Sequence, residues 1–323
     1  MLIPRYWAEA KVKTRIAGRH YTLKRFGWSD HSPEAAQVHA EHRIAQAIEK
    51  IKAGENIHRM DHKSTYNGAE GLPIREEEII AQHDDVMITR NAYGALCLNT
   101  PDVLFADIDF AESARLSVHV AAFFLLLLVS IAAAAYFMSW LILIIGLMMS
   151  FLLIRVFTKS LSRLQQRFTT TPEQRSLASI RNFSQQYPDW HLRVYRTPKG
   201  HRILAMHRTF DANGKEAELL FESIQADPHY VRMCKNQHCF RARISPKPWR
   251  IGMQRLGFGV WPVDQQYVAS RNNWIHDYQQ RAEPYASCRF VEQFGSQIVN
   301  AKAKRVQLLH DQYCKSGTHL DLA

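Results

Sequence analysis

Val120–Ile154 reads VAAFFLLLLVSIAAAAYFMSWLILIIGLMMSFLLI, 35 residues without a charged side chain. A bilayer core of about 30 Å takes about 20 apolar helical residues. One straight helix of this length would run roughly 52 Å at about 1.5 Å per residue. The run therefore predicts two membrane-spanning helices over 116–158, with a tight turn near Phe137-Met138-Ser139-Trp140. A hairpin returns the chain to the side it left. Arg115 before it and Arg155, Lys159, Arg163 and Arg167 after it place both flanks on the cytoplasmic face of a multi-pass inner-membrane protein, because positive charge near a span marks that side. The leading residues MLIPRYWAEAKVK hold no apolar core of signal-peptide length.

The flanks differ in charge. Residues 1–158 hold 16 Lys+Arg against 17 Asp+Glu, and residues 159–323 hold 25 against 13, which makes up the chain's net +11. A basic second half suits a polyanion, either nucleic acid, nucleotide phosphate or anionic lipid of the bilayer. The five cysteines, Cys97, Cys234, Cys239, Cys288 and Cys314, form no regular framework and read as reduced thiols. Cys234, His238 and Cys239 approach a zinc spacing, but the second ligand pair that zinc sites usually show is missing from the pattern.

The N-terminal stretch Trp7–Trp28 alternates apolar and basic residues about Ala17-Gly18, the pattern of a β-hairpin. Ser32-Pro33-Glu34 then supplies an N-cap, a Pro in the first turn and an acidic start. A helix to Gly54 follows, with Ala40, Ile44, Ala47 and Ile51 on one face. Residues 1–54 are thus a ββα module. Their order is similar to the arm-type DNA-binding module of tyrosine integrases, which implies DNA contact.

Residues 55–115 and 159–323 are read as the two parts of one α+β domain, a mixed sheet with helices split by the membrane hairpin. Pro73–His83 predicts a short helix. Val103–Phe110, VLFADIDF, is the strongest strand. Asp107 and Asp109 share one of its faces, because side chains repeat every second residue. Two carboxylates so placed supply oxygen ligands for Mg²⁺ or Mn²⁺, ions that serve phosphoryl transfer. Downstream, VYRTPKGHRILAMH (194–207) reads as strand, Thr-Pro-Lys-Gly turn and strand. CFRARISPKPWR (239–250) is a basic strand with a Pro-rich exit. Arg241, Arg243, Lys247 and Arg250 are phosphate contacts there, since arginines two apart on a strand share a face. Arg196, Lys199 and Arg202 join them from the turn. Trp249, Phe258 and Trp261 interleave with these charges, to stack on bases or to pack in the core.

This order of a D-x-D strand, a T-P-x-G hairpin with a nearby His and a basic strand resembles the archaeo-eukaryotic primase-like (primase–polymerase) superfamily. The resemblance covers about Met87–Trp249. It implies a primase-palm-like fold, metal ligation by Asp107 and Asp109, a phosphate contact from His201 (His207 lies later on the same strand), and a third metal-binding Asp, for which Asp227 has the right order. The expected function is a membrane-anchored nucleotide- or nucleic-acid-binding protein with metal-dependent nucleotidyl transfer. The alternative is a non-enzymatic membrane protein whose basic half binds anionic lipid or a protein partner.

Overall fold

The computed structural model describes residues 3–61, 77–110, 115–141, 144, 145, 148, 170–257 and 263–323. It divides into two compact units, Met1–Asp109 with Ser179–Ala323, and Phe110–Ala178.

The first unit opens on the ββα module. β1 (Tyr6–Ile16) and β2 (Arg19–Ser29) pair antiparallel across Ala17-Gly18. Both turn residues have positive φ, 46° and 81°, the geometry that matches the twist of a two-residue hairpin. Ser32 caps α1 (Pro33–Lys52) by accepting a hydrogen bond from the Ala35 amide at 3.1 Å. The buried stripe is Ala36, Ala40, Ile44 and Ala47, packed with Ala10 and Leu23 of the hairpin. Small residues let α1 approach closely: a Cβ on Gly27 would lie 2.2 Å from the Ala40 nitrogen.

Two four-stranded sheets make up the rest of this unit. One has the order β3 (Glu78–His83), β4 (Val86–Arg90), β5 (Leu96–Thr100), β9 (Phe240–Arg243). The other has the order β11 (Arg289–Gly295), β7 (His191–Thr197), β8 (Gly200–Ala205), β6 (Phe105–Asp109). All pairs within both sheets are antiparallel. A short parallel pair, β10 (Tyr285–Ala286) with β12 (Asp321–Leu322), stands apart. The helices of the body are α3 (Pro172–Gln186, which enters it from the second unit), α4 (Lys215–Ser223), α5 (Pro228–Gln237), α6 (Gln265–Ala282) and α7 (Ala301–Cys314). The α+β class expected from the sequence is what the described residues form.

Two expectations need correction. Of the helix predicted over Pro73–His83, residues 73–76 lie outside the described residues, and the remainder runs into strand β3. Glu77 and Glu78 are not a helical first turn. Glu77 pairs with Arg241 of β9 and Glu78 with Arg271 of α6, and this tertiary charge pairing outweighs their helix propensity.

The second correction concerns the membrane hairpin. In the second unit α2 spans Arg115–Tyr136, its side chains described from Phe123 on. The chain turns at Phe137-Met138, with Met138 at φ 49°, where the sequence placed the turn. Among the described residues no helix is long and apolar enough to cross a membrane. Most of the expected second span, and the basic stretch Arg163–Phe168, lie outside the described residues. The transmembrane split of the fold, the multi-pass inner-membrane location and the membrane-anchored readings of function, including the lipid-binding alternative, are therefore withdrawn. The described face of α2 is apolar, with Phe124, Leu125, Leu128 and Val129 more than half exposed.

Candidate anion and metal site

The site is built on β6. Val103, Leu104, Phe105 and Ala106 are fully buried. This apolar lead-in anchors the strand and delivers Asp107 and Asp109 at its end. β8 lies alongside in a register that pairs Asp107 with Arg202, Ile108 with His201 and Asp109 with Gly200. The glycine is required by contact: a Cβ at Gly200 would sit 1.8 Å from the Ile108 carbonyl oxygen. Its absence lets the Thr197–Gly200 turn close against Asp109. α5 brings the third carboxylate. The Asp227 amide donates to the Asp107 carbonyl at 2.8 Å. The Asp227 side chain caps α5 by accepting from the His229 amide at 3.0 Å, with Pro228 in the first turn. Order along the chain thus becomes proximity in space through one backbone hydrogen bond.

The two aspartates of the D-x-D differ in role. Arg202 grips Asp107 in a fork, Nε to Oδ1 at 2.8 Å and Nη2 to Oδ2 at 3.0 Å. Arg202 is 2% exposed, and its Nη1 donates to the Arg243 carbonyl at 2.8 Å. Burial alone would lower the pKa of this guanidinium, but Asp107 outweighs burial and holds the proton more firmly than usual. Asp109 carries no such fork. Burial raises its pKa, and Asp107 and Asp227 raise it further against the pull of Lys247 and Lys199.

A group of cations stands around Asp109. Lys247 has its pKa lowered to about 8, first by burial and then by Arg243 and Arg250. Arg250 is lowered to about 10 by burial and then by Arg243. Arg250 Nη1 is buried and finds no hydrogen-bond acceptor among the described residues. A buried donor on a charged group without an acceptor is costly. Among the described residues the Arg243 side chain reaches the Ser245 carbonyl, at 3.4 Å. An anion would answer all three.

Other residues singled out from the sequence fall elsewhere. Arg241 is buried in the β3–β9 sheet, where Nη1 donates to Asn99 at 3.1 Å and Nη2 to Glu77 at 2.9 Å, so its ionic partner is Glu77. Arg202 is spent on Asp107. Arg196 braces the turn through the Thr197 and Gly200 carbonyls. His201 neighbours Arg202 on β8, so its side chain lies on the sheet face away from Asp107. His207 follows β8 and packs on Trp190 at 4.8 Å, its pKa lowered to about 4, chiefly by burial. Cys234 and Cys239 are buried, and His238 meets the Asn213 amide instead of them. Trp249 packs on Tyr93, ring centroids 5.2 Å apart, while Phe258 and Trp261 lie outside the described residues. Sequence reasoning missed the structural partner of Asp107 and, beneath it, a cluster of Cys288, His310 and Cys314. The only trace of the latter was the i, i+4 spacing of His310 and Cys314.

No family model matches this sequence, and no curated protein or solved structure matches it. The functional reading therefore stands on the site.

Proposed function

We propose that the rim formed by Asp109, Asp227, Lys199, Arg243, Lys247 and Arg250 binds a nucleotide polyphosphate together with Mg²⁺ or Mn²⁺. The observation that carries this is the buried, acceptor-less Nη1 of Arg250 within a cation group whose charges depress one another's pKa beside a carboxylate of raised pKa. Carboxylate oxygens suit a hard cation, and arginine suits phosphate oxygens. Asp109 and Asp227 would hold the cation, which would neutralise phosphate charge there. Lys247, Arg243 and Arg250 would take the phosphates. The resemblance to primase-like proteins supports the same assignment for Asp109 and Asp227. It departs from this site at Asp107, engaged by Arg202, and at His201, on the far face. We therefore read the protein as a nucleotide–metal binding protein. Two-metal nucleotidyl transfer would need Asp107 released from Arg202.

The test is a thermal melt with Mn²⁺, with ATP, and with both. Both together are expected to raise the melting temperature of the wild type more than either alone, and Asp109→Asn should lose that gain. A wild type indifferent to Mn²⁺ and nucleotide would defeat the reading.

Lys247 gives a pH signature. Its folded pKa lies below its unfolded value, so between about 8 and about 10.4 the unfolded chain binds more protons. Stability from this group then rises with pH across that window and is lost as pH falls through about 8. A bound phosphate favours the charged lysine and should flatten the rise. Melts of wild type and Lys247→Met across that window, with and without triphosphate, measure it. Identical slopes for both proteins would remove Lys247 from the site.

A further inference from the structure

We propose that Cys288, His310 and Cys314 form a buried zinc site beneath the Asp107–Arg202 pair. All three side chains are fully buried, and their ligand atoms lie within 4.8 Å of one another. The fold holds the two segments that carry them. His310 and Cys314 sit one turn apart on α7 and share a face, and Cys288 lies in the link between β10 and β11. The Ser287 amide donates to the Cys314 carbonyl at 3.0 Å, and the Phe290 amide to the Ser316 carbonyl at 3.0 Å. The ligand atoms are thus brought together by backbone contacts on either side of Cys288.

The geometry suits a thiophilic cation. Cys288 Sγ and His310 Nε2 are 3.7 Å apart. Zn–S near 2.3 Å and Zn–N near 2.1 Å at a tetrahedral angle require about 3.6 Å. The imidazole is held as zinc histidines usually are: Nδ1 faces Asp311 Oδ1 at 3.0 Å, leaving Nε2 directed at the cysteines. Asp311 is in turn fixed by Gln307 at 2.6 Å and Arg193 at 3.4 Å. Soft sulfur ligands select zinc over the magnesium or manganese of the upper site.

Charge balances in both states. Zn²⁺ binding converts two thiols to thiolates and releases two protons, so the loaded cluster is neutral. Arg202, with Nη1 3.5 Å from His310 Nε2, keeps its charge against Asp107. With two thiolates, one imidazole and no fourth protein ligand among the described residues, the fourth position falls to a water or an exogenous donor. A metal here would bind as the chain folds, since all three ligands are closed off from solvent. It would brace α7 against the β10–β11 link, with His310 beside Arg202. The proposal is independent of the phosphate-site reading above.

The experiment refolds the full chain from denaturant with Co²⁺, with Zn²⁺ or with chelator. The expected result is one metal per chain, a thiolate-to-cobalt charge-transfer absorption that zinc displaces, and a melting temperature higher with zinc than with chelator. Apparent affinity should fall about 100-fold per pH unit where the two thiols alone give up protons, and more steeply in acid, where His310 must lose one as well. Cys288→Ser and Cys314→Ser should each lose the cobalt absorption, whereas Cys234→Ser should keep it. A wild type that refolds equally well under all three conditions without a cobalt–thiolate band would overturn the proposal, as would a Cys288–Cys314 disulfide in protein purified under reducing conditions. Both decisive readings use the wild type, so an unstable variant leaves them intact.

Discussion

Asp107→Asn is expected to destabilise the fold by about 3 kcal/mol, whereas Asp109→Asn should leave it unchanged or more stable. The two substitutions are chemically identical and two residues apart on one strand. Asp107 is the counter-ion of Arg202, whose side chain is 2% exposed against 25% for Asp107. Removing one partner of a buried pair strands the other charge at a cost of about 3–5 kcal/mol, and the partial exposure of Asp107 places the effect at the low end. A midpoint drop of roughly 6–12 °C corresponds, at 2–4 °C per kcal/mol for a body of this size. Asp109 is the opposite case. Its pKa is raised in the folded protein by burial and by two neighbouring carboxylates, so its ionised form opposes folding at neutral pH. The folded state binds the proton more tightly, stability falls as pH rises through the gap between unfolded and folded pKa, and the deficit is fully present above it. An amide removes that deficit. Melts of both variants at neutral pH decide the matter. Equal losses would mean that Asp109 also has a tight ionic partner, which would disqualify it as a metal ligand.

Gly200→Ala should be the most damaging small substitution in the site. The added Cβ would meet the Ile108 carbonyl oxygen at 1.8 Å and the Asp109 Cα at 3.1 Å, and both are backbone, which has no rotamer by which to yield. Overpacking commonly costs about 1–3 kcal/mol and occasionally more. Here the relief is a local parting of β6 from β8, which moves the Thr197–Gly200 turn away from Asp109. The expected outcome is a destabilised protein whose remaining folded fraction has lost the combined Mn²⁺ and nucleotide response. Gly18→Ala is the control. It also sits in a glycine turn, at φ 81°, but its added Cβ meets nothing within 4 Å. It should strain the N-terminal hairpin and leave the nucleotide response as in wild type. A Gly200→Ala variant with wild-type stability and binding would show that the turn does not need its close seat on β6.

Much of the local architecture was legible because short-range chemistry decides it. Ser32-Pro33-Glu34 announced α1, and its alanine–isoleucine stripe is the face that packs on the hairpin. The D-x-D strand and the turn at Thr197–Gly200 depend on apolar runs, alternation and turn residues that act within a few positions. Convergence of Asp107, Asp109 and Asp227 was legible only as an order along the chain.

What the sequence by itself determined, then, were elements: the ββα module, the strands that carry the carboxylates, and a basic second half. Tertiary structure alone decided partners. Glu77 and Glu78 have helical propensity, but their arginines lie 164 and 193 residues away, and pairing with them made the segment a strand. Register alone put Arg202 against Asp107 and turned His201 to the other face, since a shift of one residue in a strand exchanges the two faces. Cys288 met His310 and Cys314 across 22 and 26 positions because β10, β11 and α7 pack together, which no local spacing encodes. The uncharged run at Val120–Ile154 announced apolar helix and a turn at Phe137-Met138. Its apolarity says what the side chains avoid, but among the described residues no helix is long and apolar enough to cross a membrane. Propensity and capping act between neighbours in sequence. Charge pairing, register and ligand convergence act between neighbours in space, and those exist only once the chain has folded.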